Sequence, residues 1–322
     1  MSYSNRSETC PISIVIPAYN VAEYIVEAID SLLNQSILPY EIIVVNDGST
    51  DNTLDIVSEH YGDNEAVKVF SQLNQGAGAA RNKGIELSSG TYVFCCDPDD
   101  VVSPDLFSEF QKRIEEKPQL DLFCFSSIQF YENNTTSPKV RHQKNGWREQ
   151  GRDVLCEMVS RGDYTSAAWT YILRRSLITD NKLSFIGRVH EDHLYTAKGY
   201  LLSKLTYVTE HVGYFQRSRL GSLTKSRKDD EYIFERFNAL SAVLDVLNNE
   251  LPHEKRYEQV KYKYVRNSLL AIANICAENY RLIPSALTAK FKDYSHYSSN
   301  GLKDILIFQC PRILVLIRKF FH

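Results

Sequence analysis

Short apolar runs alternate with helical periodicity through the first third of the chain. Residues 12–16, 41–45, 66–70 and 91–96 read as strands. Between the first two, Val21, Tyr24, Ile25, Ala28, Ile29, Leu32 and Leu33 fall on one helical face, opened by Asn20 with Glu23 three residues on, close to a capping box. A second helix is expected after Ser49-Thr50-Asp51, a third from Gly76 to Leu87 and a fourth over 106–116, with a further strand at 122–126. This alternation predicts an α/β fold, a mostly parallel sheet flanked by helices. Residues 131–150 are polar and poor in aliphatics, which predicts a long loop of the kind that often carries function. From about residue 229 the pattern is helical, without further strand and turn alternation, and predicts a C-terminal helical extension. The last 22 residues pair apolar clusters with Arg312, Arg318 and Lys319 around Pro311.

With 322 residues, 43% of them hydrophobic, the chain can bury one large domain with an appendage, or two small ones. Its seven cysteines are scattered, odd in number and free of C-x-x-C spacing, so neither a disulfide framework nor a zinc cluster is expected, and a reducing cytoplasm fits. No signal-peptide stretch opens the chain, and no segment reaches the roughly 18 apolar residues that span a bilayer. The sequons at Asn133 and Asn134 are therefore read as without consequence. The net charge of -3 hides a split: residues 211–322 carry 18 Lys and Arg against 11 Asp and Glu, leaving an acidic remainder. A basic tail of this kind faces phosphate or a membrane surface, or is a solvated helical face. No nucleic-acid partner is expected.

In open α/β sheets ligands bind beyond the carboxyl ends of the strands. There the predicted strands lead into Pro17-Ala18-Tyr19-Asn20, Asn46-Asp47-Gly48-Ser49, Asn74-Gln75-Gly76 and Asp97-Pro98-Asp99-Asp100. The last places three carboxylates within four residues, a charge density that a cation would relieve. Oxygen ligands of this kind suit Mg²⁺ or Mn²⁺, while the alternative is an acidic helix cap. The stretch from Gly76 to Arg81 fails the dinucleotide fingerprint, because Arg81 replaces the third glycine and the stretch follows the third strand. With no Walker A sequence either, NAD and ATP chemistry are not expected.

The succession PAYN, VVNDGSTDNT, NQGAGAARNKG, a strand ending in DPDD, and later HED resembles the family 2 glycosyltransferases over roughly residues 11–225. The resemblance implies a GT-A fold and inverting transfer of a hexose or N-acetylhexosamine from a UDP-sugar. The acceptor would be a glycan or lipid-linked saccharide in lipopolysaccharide, capsule or exopolysaccharide synthesis. It implies that Pro17, Tyr19 and Asp47 frame the nucleoside, with the Asp47 carboxylate accepting the uracil imide N–H through a charge-assisted bond. Gly76 and Arg81 would lie beside the nucleotide, Asp97 on ribose or metal, and Asp99 on the metal; Pro98 stands where serine is more usual. Asp192 corresponds to the base and Glu191 to its support, with the helix N-terminus expected to lower the carboxylate pKa. Trp169 would line the acceptor side or sit in the core, and Arg217 or Arg219 would neutralise the diphosphate. His190 and His193 are expected beside the site or on the surface.

The implied catalytic domain is 1–225, with nucleotide-sugar binding over 11–126 and the acceptor side over 127–225; residues 226–322 form the helical region, associating with a membrane or a second copy. The setting would be the cytoplasm, at the inner face of the cell membrane if the tail binds lipid. Two other readings compete. A catalytically silent nucleotide-sugar binding protein would lack Asp99 or Asp192, and both are present. A sugar-phosphate nucleotidyltransferase would need a glycine-rich basic loop after strand one, which PAYN does not supply.

Overall fold

The computed structural model describes residues 9–131, 135–218, 228–298 and 301–319. Its contacts divide the chain into two compact units, residues 1–154 with 165–219, and residues 155–164 with 220–322.

In the first unit, β1 (Cys10–Ala18) lies inside the sheet because both of its faces are apolar: Ile12, Ile14, Val15 and Ile16 are all fully buried. The chain then alternates through α1 (Ile25–Leu33), β2 (Pro39–Asn46), α2 (Thr53–Tyr61), β3 (Val67–Ser71), α3 (Ala77–Leu87) and β4 (Tyr92–Cys95). These four strands are parallel, in the order β3-β2-β1-β4. The order reverses between β1 and β4, where a crevice opens at the carboxyl ends. Beyond β4 come β5 (Val101–Val102), α4 (Leu106–Glu116), β6 (Leu122–Tyr131), β7 (Thr136–Val140) and β8 (Gly146–Arg148). Then follow α5 (Gly151–Arg161), which from Leu155 onward belongs to the second unit, β9 (Tyr171–Arg174), α6 (Arg175–Asp180), α7 (Asp192–Leu202) and β10 (Thr206–Ser218). The sheet continues β4-β9-β6-β10-β5, with β9 antiparallel to both neighbours and β10 parallel to β6. The result is a mixed, mostly parallel α/β sheet flanked by helices.

Two expectations need correction. The polar 131–150 stretch is not one loop, because β6 runs on to Tyr131 and β7 and β8 pair with β6 and β10. Its polar character reflects edge strands with a solvent-facing side. Asn20 does not cap α1, which begins at Ile25 without a side-chain cap. Instead Asn20 adopts φ 51°, and its Oδ1 accepts the Thr50 (2.8 Å) and Asp51 (3.3 Å) backbone N–H groups. Local side-chain bonding of this kind competes with capping, and here it stitches the β1 loop to the β2 loop.

The second unit is helical. Asp229 caps α8 (Asp230–Glu250), its Oδ1 accepting the Tyr232 N–H at 2.8 Å. It is followed by α9 (Lys255–Glu278), α10 (Ser285–Asp293), α11 (Leu302–Asp304) and α12 (Pro311–Lys319), with a π turn over Ile305–Gln309 before Pro311. Buried Asp304 anchors the C-terminal segment on α9 by accepting from Arg266 Nε (2.9 Å) and Tyr262 Oη (2.8 Å).

Candidate functional site

The carboxyl ends of β1 and β2 are in register, Ala18 opposite Asn46, so Tyr19 and Asp47 emerge side by side. Pro17 is buried within β1, while Tyr19 is 47% exposed at the edge. Asp47 is buried: Oδ1 accepts from Gln72 Nε2 (2.8 Å) and the Gln75 N–H (2.9 Å), and Oδ2 accepts the Gly76 N–H (2.8 Å). Of roughly four acceptor positions on a carboxylate, three hold the β3–α3 loop and one remains on Oδ2. Asp47 thus fixes the β3–α3 loop and keeps one acceptor position free of the loop. Gly76 sits at φ 96°, where an added Cβ would lie 3.2 Å from Arg188 Cγ, so only glycine fits the turn comfortably.

Arg81 is no surface residue of α3. Its guanidinium is 10% exposed and donates through Nη2 to Asp97 Oδ1 and through Nη1 to Glu191 Oε1, both at 2.8 Å. Burial alone would lower its pKa, but the two carboxylates outweigh burial and raise it. One cation therefore ties the turn after β4 to the start of α7. The rest of the motif serves the same junction. An added Cβ on Gly78 would lie 2.7 Å from Glu191 Cγ, and Gly84 lets α3 settle on Val15 of β1. Asn82 exchanges two 2.9 Å bonds with the backbone of Phe185, whose ring stacks on Tyr195 of α7 at 4.0 Å.

The Asp97–Asp100 turn is held from β10, because β5 just after it pairs with that strand at Tyr214 and Phe215. The Asp97 N–H donates to Tyr214 Oη (3.1 Å), and that hydroxyl donates to Asp100 Oδ2 (2.7 Å). Asp100 Oδ1 accepts the Arg217 N–H (2.7 Å), and Arg217 Nε donates to the Asp99 carbonyl (2.9 Å). Burial, with the charges of Asp97 and Asp99, holds the Asp100 pKa well above the ordinary carboxylate range. Arg217 is also paired with Glu27 at 2.5 Å, so part of its charge is neutralised within the protein. Arg219 lies outside the described residues. Trp169 is buried and stacks flat on Tyr214 at 4.6 Å, so it braces the turn from behind. Tyr214 was not singled out by the sequence, which pointed in this stretch only to Arg217 and Arg219, because the partners of its hydroxyl lie more than a hundred residues away.

With Asp100 withdrawn, Asp97 and Asp99 remain as one turn's oxygen donors. Among the described residues no three His, Cys, Asp or Glu side chains converge as a metal cage. A two-carboxylate set fits Mg²⁺ or Mn²⁺, which complete their shell with phosphate and water.

Asp192 opens α7, with Glu191 at its N-cap. The expected lowering of its pKa by the helix is overturned. Burial pushes it up to about 7, Glu191 adds to the rise, and Arg81 with a bond from Ser166 pulls it only part of the way back. Desolvation is the largest of these influences and sets the direction of the shift. His190 and His193 lie ring to ring at 5.5 Å beside it.

Comparisons with known proteins bear on the family and the fold. The chain is 29% identical over 222 residues to EpsH of Bacillus subtilis, covering 68% of this chain and 64% of that one. It is 44% identical over 107 residues to chondroitin synthase of Escherichia coli, covering 32% of this chain and 16% of that one. The chain thus spans less than two thirds of either relative's length. Among solved structures, S. aureus TarS 1-349 in complex with UDP-GlcNAc superimposes with a TM-score of 0.70 at 20% identity, covering 97% of this chain and 93% of that one. The family model "Glycosyl transferase family 2" matches residues 13–177, just over half of the chain, and the chain belongs to that family.

Proposed function

We propose that the chain transfers a hexose or N-acetylhexosamine from a UDP-sugar to a glycan or lipid-linked acceptor in bacterial surface-polysaccharide synthesis, by single displacement with inversion. The observation that carries this reading is the Arg81 bridge, which brings the donor-side turn at Asp97 and the acceptor-side helix at Asp192 to one place. The UDP-GlcNAc held by the structurally similar S. aureus protein supports the donor class.

Each residue then has a part. Tyr19, exposed at the edge beside Pro17 and Asp47, offers a face for the uracil ring. The fourth acceptor position of Asp47 takes the imide N–H, and Gly76 leaves the backbone open to the nucleotide. Asp97 and Asp99 would hold Mg²⁺ or Mn²⁺, whose charge supports the diphosphate as it departs. Arg217, and Arg219 beyond the described residues, add positive charge on the donor side. Glu191, occupied by Arg81, fixes the start of α7. Asp192 takes the acceptor hydroxyl proton as that oxygen attacks the anomeric carbon and the bond to the diphosphate breaks. Its elevated pKa makes it a stronger base than an exposed aspartate. Trp169, buried and stacked on Tyr214, supports the Asp97–Asp100 turn from behind.

Asp192→Asn tests the assignment. UDP affinity measured by calorimetry should hold, while transfer should fall by about 10²–10⁴-fold. Parental transfer by the variant would remove Asp192 from the reaction. Removal of divalent cations with EDTA should stop transfer and added Mn²⁺ restore it; activity that survives EDTA would exclude the metal reading.

A further inference from the structure

Ten large hydrophobic side chains stand exposed among the described residues, and six of them fall within 280–317: Tyr280, Leu282, Leu302, Ile313, Leu316 and Ile317. Three belong to α12. There Leu314 and Val315 face inward, while Ile313, Leu316 and Ile317, spaced i, i+3, i+4 along the opposite face, are 51%, 46% and 40% exposed. A helix apolar on both faces has one face packed and one awaiting a partner. The segment is not a frayed end, since Asp304 ties it to α9 through Arg266 and Tyr262. Arg312 Nε donates to the Ile283 carbonyl at 3.0 Å, which joins α12 to the loop that exposes Tyr280 and Leu282. Arg281, Leu282 and Arg312 line a cavity of about 650 Å³ at this junction together with Asp230, whose carboxylate is paired with Arg281, so Arg312 is the cation left to act there.

The charge around this face selects its occupant. Residues 280–319 contain seven Lys and Arg against two Asp and Glu. One of the two acids is Asp304, which is buried and already paired with Arg266. A second copy would bring the same basic patch against itself, which like charges oppose. An anionic bilayer offers the opposite charge to the arginines and an apolar interior to the isoleucines and leucine. No helix among the described residues is long and apolar enough to cross a membrane. We propose that the face formed by α12 and the 280–283 loop docks on an anionic lipid surface, with Ile313, Leu316 and Ile317 entering the headgroup boundary and Arg312 and Arg318 meeting lipid phosphate. The docking face is independent of the donor and base assignments.

The test is sedimentation of the full chain with vesicles of phosphatidylcholine alone or mixed with phosphatidylglycerol. Binding should require phosphatidylglycerol and weaken with added salt. In the triple variant Ile313→Glu, Leu316→Glu, Ile317→Glu it should fall at least about tenfold, with the thermal melt and UDP affinity unchanged. A milder variant, Leu316→Ser with Ile317→Ser, should lose part of the binding. Absence of binding to the anionic vesicles, or binding that the triple variant retains, would overturn the proposal. So would a dimer in sedimentation velocity that the triple variant dissociates without any vesicle binding, which would assign the face to a second copy.

Discussion

At the carboxyl edge of the sheet, charged side chains are matched to partners one by one: Asp47 by three N–H donors, Asp97 and Glu191 by Arg81, Asp100 by Tyr214 and Arg217. On α12 the opposite holds, and Ile313, Leu316 and Ile317 stand at the surface with basic residues nearby. The first region is built as a rigid polar framework, where each group fixes the next. The second is built as a face, where residues act by area and charge and no single geometry is demanded. Substitutions should therefore be costly and specific in the first region, and cheap for the fold in the second.

The largest effect should come from Arg81→Ala, which leaves two largely buried carboxylates without their cation. Loss of about 3–5 kcal/mol is expected by denaturant unfolding, together with loss of transfer. Arg81→Lys should rescue only in part, because one ammonium cannot serve two carboxylates in the fork geometry of a guanidinium. Next is Gly84→Ala, whose Cβ would lie 2.3 Å from Val15 Cγ1; the overpacking should cost about 1–3 kcal/mol in the same measurement. Tyr214→Phe removes the hydroxyl shared by Asp97 and Asp100 and should cost about 1–2 kcal/mol. Because that hydroxyl positions the Asp97–Asp100 turn, which is proposed to hold the cation, the variant should also need more Mn²⁺ for half-maximal transfer, a shift that a purely structural defect would not produce.

The pH response sharpens the comparison further. On the proposed role of Asp192 as the base, which needs its ionised form, kcat/KM should rise with pH through about 7 and fall about tenfold per unit well below it. Stability should move the other way. The folded carboxyl holds its proton up to about 7, whereas the unfolded one releases it near about 4, so its contribution is complete below about 4 and lost as pH rises through 7. Melts across this window should decline in the parent and flatten in Asp192→Asn. The smallest effect on the fold belongs to the triple glutamate variant of α12, which should alter stability by less than about 0.5 kcal/mol. A cost as large as that of Tyr214→Phe would show that α12 is part of the framework after all.

Local pattern was enough wherever one strand or helix decided its own fate. The apolar run before Pro17 made β1, and α4 spans Leu106–Glu116 as its spacing predicts. The cluster of PAYN, NDGS, NQG and DPDD at one sheet edge followed from parallel connection alone. Residues whose role depends on a distant partner were not legible in that way. Asn20 looked like a helix cap and became a bridge between loops, because its partners lie about thirty residues away. Tyr214 braces the Asp97 turn, 117 residues distant, whereas the sequence drew attention in that stretch only to Arg217 and Arg219.

The sequence by itself determined the alternating α/β order, the carboxylates after β4 and the helical C-terminal region, because each is written in neighbouring residues and in their periodicity, while the acidic pair at a helix start followed from the family resemblance. Only the tertiary structure decided that Arg81 is buried between Asp97 and Glu191, that Asp100 is turned inward to Tyr214, and that Asp192 is held near neutrality. Those outcomes depend on desolvation and on contacts between segments far apart in the chain, and neither is a property of any local stretch of sequence.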